Sequence, residues 1–265
     1  MNPATHTRTQ TQRGLAVLAA SALALLAAGS ASALGTWQSS LQPRDLDGDP
    51  NTVEAYYDTA LNITWLQNTN AGAGSSYDNG KYDHDGRMTW GNATAWAASL
   101  TYAGGGWRLP TMIDTGVPGC YAPGEFNMLG GTSCGQNVIT TPATPTNYSE
   151  LGHMFAITLG NRPAWSTSGG MNPHPWLANI GPFSAISEAY DAVNYGDPDD
   201  CEDVRDCRDD AYWFNLTDAS SPNGRDAWKF LFGEGEQIGD HKSSEFFAWA
   251  VHDGDVGTPL NAGFW

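Results

Sequence analysis

The densest set of ionisable residues runs from Asp197 to Asp210, Asp-Pro-Asp-Asp-Cys-Glu-Asp-Val-Arg-Asp-Cys-Arg-Asp-Asp. Eight carboxylates sit there with two arginines, and Cys201 and Cys207 could pin the segment into a loop. Calcium takes about six to eight oxygen ligands, many of them Asp, from loops of this kind. Asp199, Asp200, Asp203, Asp206, Asp209 and Asp210 are therefore candidate calcium ligands. The alternative is a solvated acidic loop in which Arg205 and Arg208 act as local counter-charges. A second acidic run, Asp45-x-Asp47-x-Asp49 followed by Glu54, invites an EF-hand reading. Pro50 and Tyr56 stand where that loop needs Gly and Glu, so a strand-leading turn with a loosely held cation fits better.

Nucleophile chemistry finds less support. Gly131-Thr132-Ser133-Cys134-Gly135 matches G-x-S-x-G, but that motif needs a strand before it and a helix behind it. Gly130 precedes it, and no helical pattern follows. His84, His153, His174, His241 and His252 lie scattered without metal-ligand spacing. Glu150 and His153 share a predicted helix, where a surface position is the default for the histidine. The four cysteines, Cys120, Cys134, Cys201 and Cys207, lack the paired short spacing of a zinc site. In an exported chain their even number reads as two disulfides. Three pairings are possible, and proximity favours Cys120–Cys134 and Cys201–Cys207. Loop entropy gives the first about 3 kcal/mol.

Export is itself an expectation from the first 33 residues. Arg8 and Arg13 form a positive start, Leu15 through Ala28 is apolar, and Ala31-Ser32-Ala33 supplies small residues for cleavage. That apolar run is short for a membrane span, and no second one follows. Residues 34–265 then form one domain, without internal repeats or a clear linker. The chain has a formal net charge of −17, and losing Arg8 and Arg13 makes it more negative. Phosphate recognition needs clustered Lys and Arg, so nucleic acid is excluded as a partner.

Positioning elements are legible in the periodicity. Glu54 to Leu66 reads as a β-hairpin around Asp58-Thr59-Ala60-Leu61-Asn62. Thr89 caps a predicted helix to about Leu100, with Trp90, Ala93, Ala97 and Leu100 on one face. A second predicted helix starts at Ser149, carries the stripe Leu151, Met154, Phe155, Leu159, and closes at Gly160-Asn161. Three aromatic-rich runs follow as strands at 211–216, 227–232 and 246–251. The middle one alternates Trp228, Phe230 and Phe232 with Lys229 and Leu231, as a half-buried strand would. Residues 233–240 read as a polar hairpin loop. Helices early and antiparallel strands late imply an α+β domain.

Trp107-Arg108-Leu109-Pro110-Thr111, delivered by Gly104-Gly105-Gly106, resembles the signature of the Lcl C-terminal-domain family. Ala55 to Leu66, Met88 to Leu100, Glu150 to Phe155 and Ala248 to Val256 resemble its opening hairpin, two helices and closing strand, in the same order. The resemblance implies a secreted bacterial binding domain. Its expected fold is C-type-lectin-like α+β: two helices packed on small antiparallel sheets with long loops, the fold also of formylglycine-generating enzymes. It further implies a glycan, extracellular polymer or protein ligand, with calcium near the late loops. Tyr212-Trp213-Phe214-Asn215-Leu216 departs from the family's Tyr-Trp-Ser-Ser-Thr, and the sugar motifs Glu-Pro-Asn, Gln-Pro-Asp and Trp-Asn-Asp are absent. Aromatic stacking remains as a recognition mode. Of 11 tryptophans, Trp65, Trp90, Trp228 and Trp249 lie on apolar stripes. Trp165 and Trp176, in a Pro-, Gly- and Asn-rich loop, are the candidate ligand contacts. A metal-dependent oxidase using Cys201 and Cys207 as thiols, and a structural cell-envelope role, stand as alternatives.

Overall fold

The opening hairpin forms because its turn is built from its own side chain. Asp58 Oδ1 accepts hydrogen bonds from the amides of Ala60 (2.9 Å) and Leu61 (3.3 Å). Asn62, at φ +56°, takes the left-handed conformation that Asn tolerates. A computed structural model describes residues 35–80, 84–114, 148–164, 172–173, 177–186, 211–219 and 221–260. All four cysteines, Trp165, Trp176, the Asp197–Asp210 segment and residues 1–34 lie outside the described residues.

Two sheets hold the described residues together. The first, in the order β11-β1-β2-β3-β10-β5, is antiparallel throughout. Its strands are β1 (Leu41–Asp45), β2 (Ala55–Asp58), β3 (Ile63–Leu66), β5 (Trp107–Arg108), β10 (Val251–Asp253) and β11 (Thr258–Pro259). The second runs β4-β9-β6-β7-β8 and pairs β6 with β9 in parallel. It comprises β4 (Arg87–Thr89), β6 (Ala211–Thr217), β7 (Asp226–Leu231), β8 (Glu236–His241) and β9 (Glu245–Phe247). One-turn helix α1 (Trp37–Ser40) leads into β1, α2 (Trp90–Ser99) follows β4, and α3 (Glu150–His153) continues into a π-helical turn, Met154–Thr158. The class is α+β, as expected.

Both predicted helices begin at their predicted caps. Thr89 Oγ1 accepts from Asn92 N at 3.4 Å, and Ser149 Oγ from Gly152 N at 3.0 Å. Ala93, Trp96 and Ala97 bury one face of α2, and Leu151, Met154, Phe155 and Leu159 are all at most 1% exposed. Gly160 ends the second helical segment at φ +71°.

Four expectations are corrected, each by buried polar or small residues. Residues 233–240 are not a loop: a tight turn closes at Gly235, whose amide bonds Leu231 O at 2.7 Å, and Glu236–His241 pairs with β7. Glu236 and Gln237 are buried there, so the start of a polar edge strand lies in the interior. Strand β7 is covered on both faces rather than half-buried. Lys229 is 1% exposed, with Nζ 2.7 Å from Asp240 Oδ2 and 3.7 Å from the Phe246 ring centre. Burial opposes ionisation of Asp240, but Lys229 outweighs it and holds that carboxyl below its ordinary range. Residues 246–251 are not one strand, because β9 and β10 belong to different sheets. Ala248, Trp249 and Ala250 cross between them. Between the small alanines Trp249 fills the core, donating from Nε1 to Leu66 O (2.8 Å) and packed on Trp65 and Phe183. Finally, His153 is buried, at 3% exposure, and not on the surface.

Candidate functional site

Arg108 sits where three of the resembling segments meet. Gly106, at φ +90°, approaches His252 so closely that a Cβ would lie 3.0 Å from Nε2, and this lets β5 pair with β10. Trp107 turns inward and donates from Nε1 to Tyr102 O at 2.9 Å. Alternation along the strand then points Arg108 the other way. Its Nη1 and Nη2 donate to Glu150 Oε2 and Oε1, both at 2.8 Å, and Nε reaches Asp253 Oδ1 at 3.0 Å. Nη2 bonds the same Asp253 oxygen.

Glu150, the first residue of α3, is 1% exposed and fully engaged. Besides the arginine fork, it accepts from Thr111 N at 2.7 Å and from the Tyr148 hydroxyl at 3.0 Å. Pro110 holds the backbone extended, so the Thr111 amide faces this carboxylate, while Pro110 O accepts from Asn215 N of β6 at 2.7 Å. Burial works against the Arg108 charge, yet Glu150 and then Asp253 outweigh it and push its pKa up. Burial first, and the Glu150 charge second, push the Tyr148 phenol up as well. Tyr148 therefore stays a hydrogen-bond donor at neutral pH.

Over this node opens a cleft of about 390 Å³, with Leu61, Ile63 and Ile113 as apolar lining and Asn62, Tyr148 and Asp253 as polar lining. Asp253 is 77% exposed and Glu150 almost sealed. The cleft thus offers an acceptor carboxylate and a phenol beside aliphatic surface. One guanidinium faces two carboxylates, so the polar lining is net negative. Such a surface suits hydroxyl-rich or cationic ligands and repels anions.

A second group resembles a catalytic triad in composition only. Thr158 Oγ1 lies 3.3 Å from His153 Nδ1 and 3.5 Å from Asp58 Oδ2. Thr158 and Asp58 are 0% exposed, and both partners contact the hydroxyl rather than each other, so no substrate carbonyl could reach it. Burial lowers the His153 pKa to about 4 and raises that of Asp58. This is a structural bridge between the hairpin turn and the π-helical turn. Sequence reasoning missed it, because its partners stand 100 positions apart.

The Asp45-x-Asp47 run does make a strand-leading turn. One oxygen each of Asp45, Asp47 and Glu54 lie within 4.8 Å of one another. Asp45 Oδ1 already accepts from the amides of Asp47 and Gly48, and Glu54 Oε2 from Leu46 N, so the turn accounts for their placement. No family model, curated protein or solved structure matches the chain.

Proposed function

We propose that the protein is an exported, non-enzymatic binding module with the C-type-lectin-like fold implied by its resemblance to the Lcl C-terminal-domain family. Its ligand on this reading is a neutral glycan or hydroxyl-rich extracellular polymer, with calcium as a structural ion. The observation that supports it is the Arg108 node. The resembling signature, second helix and closing strand converge on one fork, and a solvent-open cleft with polar and aliphatic walls lies above it. The net charge of −17 and the negative lining favour uncharged over sulfated chains.

Binding should be titrated with neutral, amino-substituted and sulfated glycans. Saturable binding of a neutral glycan, weakened by Asp253→Asn and by Tyr148→Phe, is expected. Selective binding of sulfated chains, or binding that both substitutions leave unchanged, would overturn the cleft as the site. A protein ligand would emerge as binding that no glycan competes.

A further inference from the structure

The Arg108 node is saturated, and this decides which groups of the cleft remain to meet a ligand. A guanidinium has five N–H donors. Nε donates to Asp253 Oδ1, Nη1 to Glu150 Oε2 and Leu109 O, and Nη2 to Glu150 Oε1 and Asp253 Oδ1. None is left over. Glu150 is equally spent, because each of its oxygens accepts twice, once from Arg108 and once from Tyr148 or Thr111. Tyr148 gives its one proton to Glu150. Two side chains of the lining keep a polar atom with no bond to a described residue. The arginine engages only Oδ1 of Asp253, so Oδ2 stays open on a side chain that is 77% exposed. Asn62 Oδ1 accepts from the Tyr57 hydroxyl at 2.8 Å, which orients the amide and leaves its Nδ2 open.

Topology sets these two side chains next to each other. Ile63, which follows Asn62, is the register partner of Asp253, and Gly254 N donates to Asn62 O at 2.8 Å. Both side chains line the same cleft, and its volume of about 390 Å³ is at the small end for ligand pockets. A carboxylate oxygen accepts, and an amide nitrogen donates. An ammonium brings donors alone and leaves the amide unserved. A sulfate or carboxylate brings acceptors alone and meets the Asp253 charge. A hydroxyl does both. We propose that Asn62 and Asp253 form a hydroxyl-reading pair, in which adjacent hydroxyls of a neutral sugar donate to Asp253 Oδ2 and accept from Asn62 Nδ2. This rests on the cleft being the glycan site. It makes Asn62 a specificity residue, while Arg108 and Glu150 position Asp253 without touching the sugar. Tyr57 positions Asn62 in the same way, from β2.

Neutral trisaccharides of glucose, galactose and mannose, with their deoxy, amino-substituted and uronate forms, titrated into the full chain test this. Calorimetry reads affinity, and the NMR signal of the Asn62 side-chain amide reads contact. A neutral sugar should bind saturably and shift that signal. Removing one of the paired hydroxyls should weaken binding about tenfold, the worth of one hydrogen bond. Asn62→Asp suits the same left-handed turn but exchanges a donor for an acceptor. It should lose the neutral sugar and favour the amino-substituted form. Asn62→Gly also keeps the turn, and should weaken the neutral sugar without gaining the amino form. Binding that Asp253→Asn weakens, but that both Asn62 variants leave unchanged, overturns the pair and spares the cleft. Binding that all three variants leave unchanged, or no binding of any sugar at millimolar concentration, overturns the pair and the cleft reading together.

Discussion

The helical segment from Glu150 to Thr158 treats ionisable groups in opposite ways at its two ends. At its start Glu150 meets the Arg108 fork, a backbone amide and a phenol. At its far end Thr158 offers His153 only a hydroxyl, with Asp58 beyond it, and burial drives the imidazole neutral. Glu150 and His153 themselves are both buried, at 1% and 3% exposure. A charge survives burial where a guanidinium compensates it, and is lost where only a hydroxyl is on offer.

The largest effect should come from breaking the compensated end. Arg108→Ala leaves a carboxylate at 1% exposure without its cation, and such losses cost about 3–5 kcal/mol. Urea unfolding should read this as a lower midpoint at an unchanged slope. Arg108→Lys should recover only part of it, since an ammonium cannot span both Glu150 oxygens and Asp253 in one plane. Full recovery by lysine would show that charge alone matters and that the fork geometry does not.

Acid should break the uncompensated end. His153 has a folded pKa of about 4 against an ordinary 6.5, so its neutral form is the one folding favours. The stability it contributes is complete above about pH 6.5 and lost as pH falls toward 4, about 3 kcal/mol over that window. Asp58 acts with the opposite sign. Its raised pKa gives stability at low pH that is lost as pH rises through the folded value, so it offsets part of the acid loss. Unfolding free energies at pH 7 and pH 4 should show a drop in the wild type, a smaller drop in His153→Gln and a larger one in Asp58→Asn. An unchanged pH dependence in His153→Gln would mean that the imidazole titrates alike in the folded and unfolded chain.

The same contrast explains what the sequence disclosed. The hairpin, α2 and the Leu151–Leu159 stripe were readable because apolar period and cap residues are local signals, and each begins where its cap stands. Strand β8 was not, because Glu236 and Gln237 are interior residues with polar side chains. Lys229 and His153 read as surface groups because the partners that make burial tolerable are long-range or lie in a misread loop. Asp240 sits in the supposed loop, and Asp58 is in a hairpin 95 positions before His153. The Arg108 node falls between these cases. Resemblance marked its segments, but no spacing rule joins Arg108 to Glu150 and Asp253.

The smallest expected effect bears on how the two ends are tied. Ser149 is buried, and its Oγ caps α3 through Gly152 N, one residue before the glutamate that the fork holds. Ser149→Ala should cost about 1 kcal/mol, the usual value of an N-cap. The cap and the fork both hold the first turn of a four-residue helix, so their losses should not add. In the Arg108→Ala background the turn is already released, and Ser149→Ala should cost measurably less than alone. Strict additivity would mean that Glu150 is held by the fork without ordering the helix start. The charged end would then be an anchor between sheet and loop, and the helix would be organised from its π-helical, uncharged end instead.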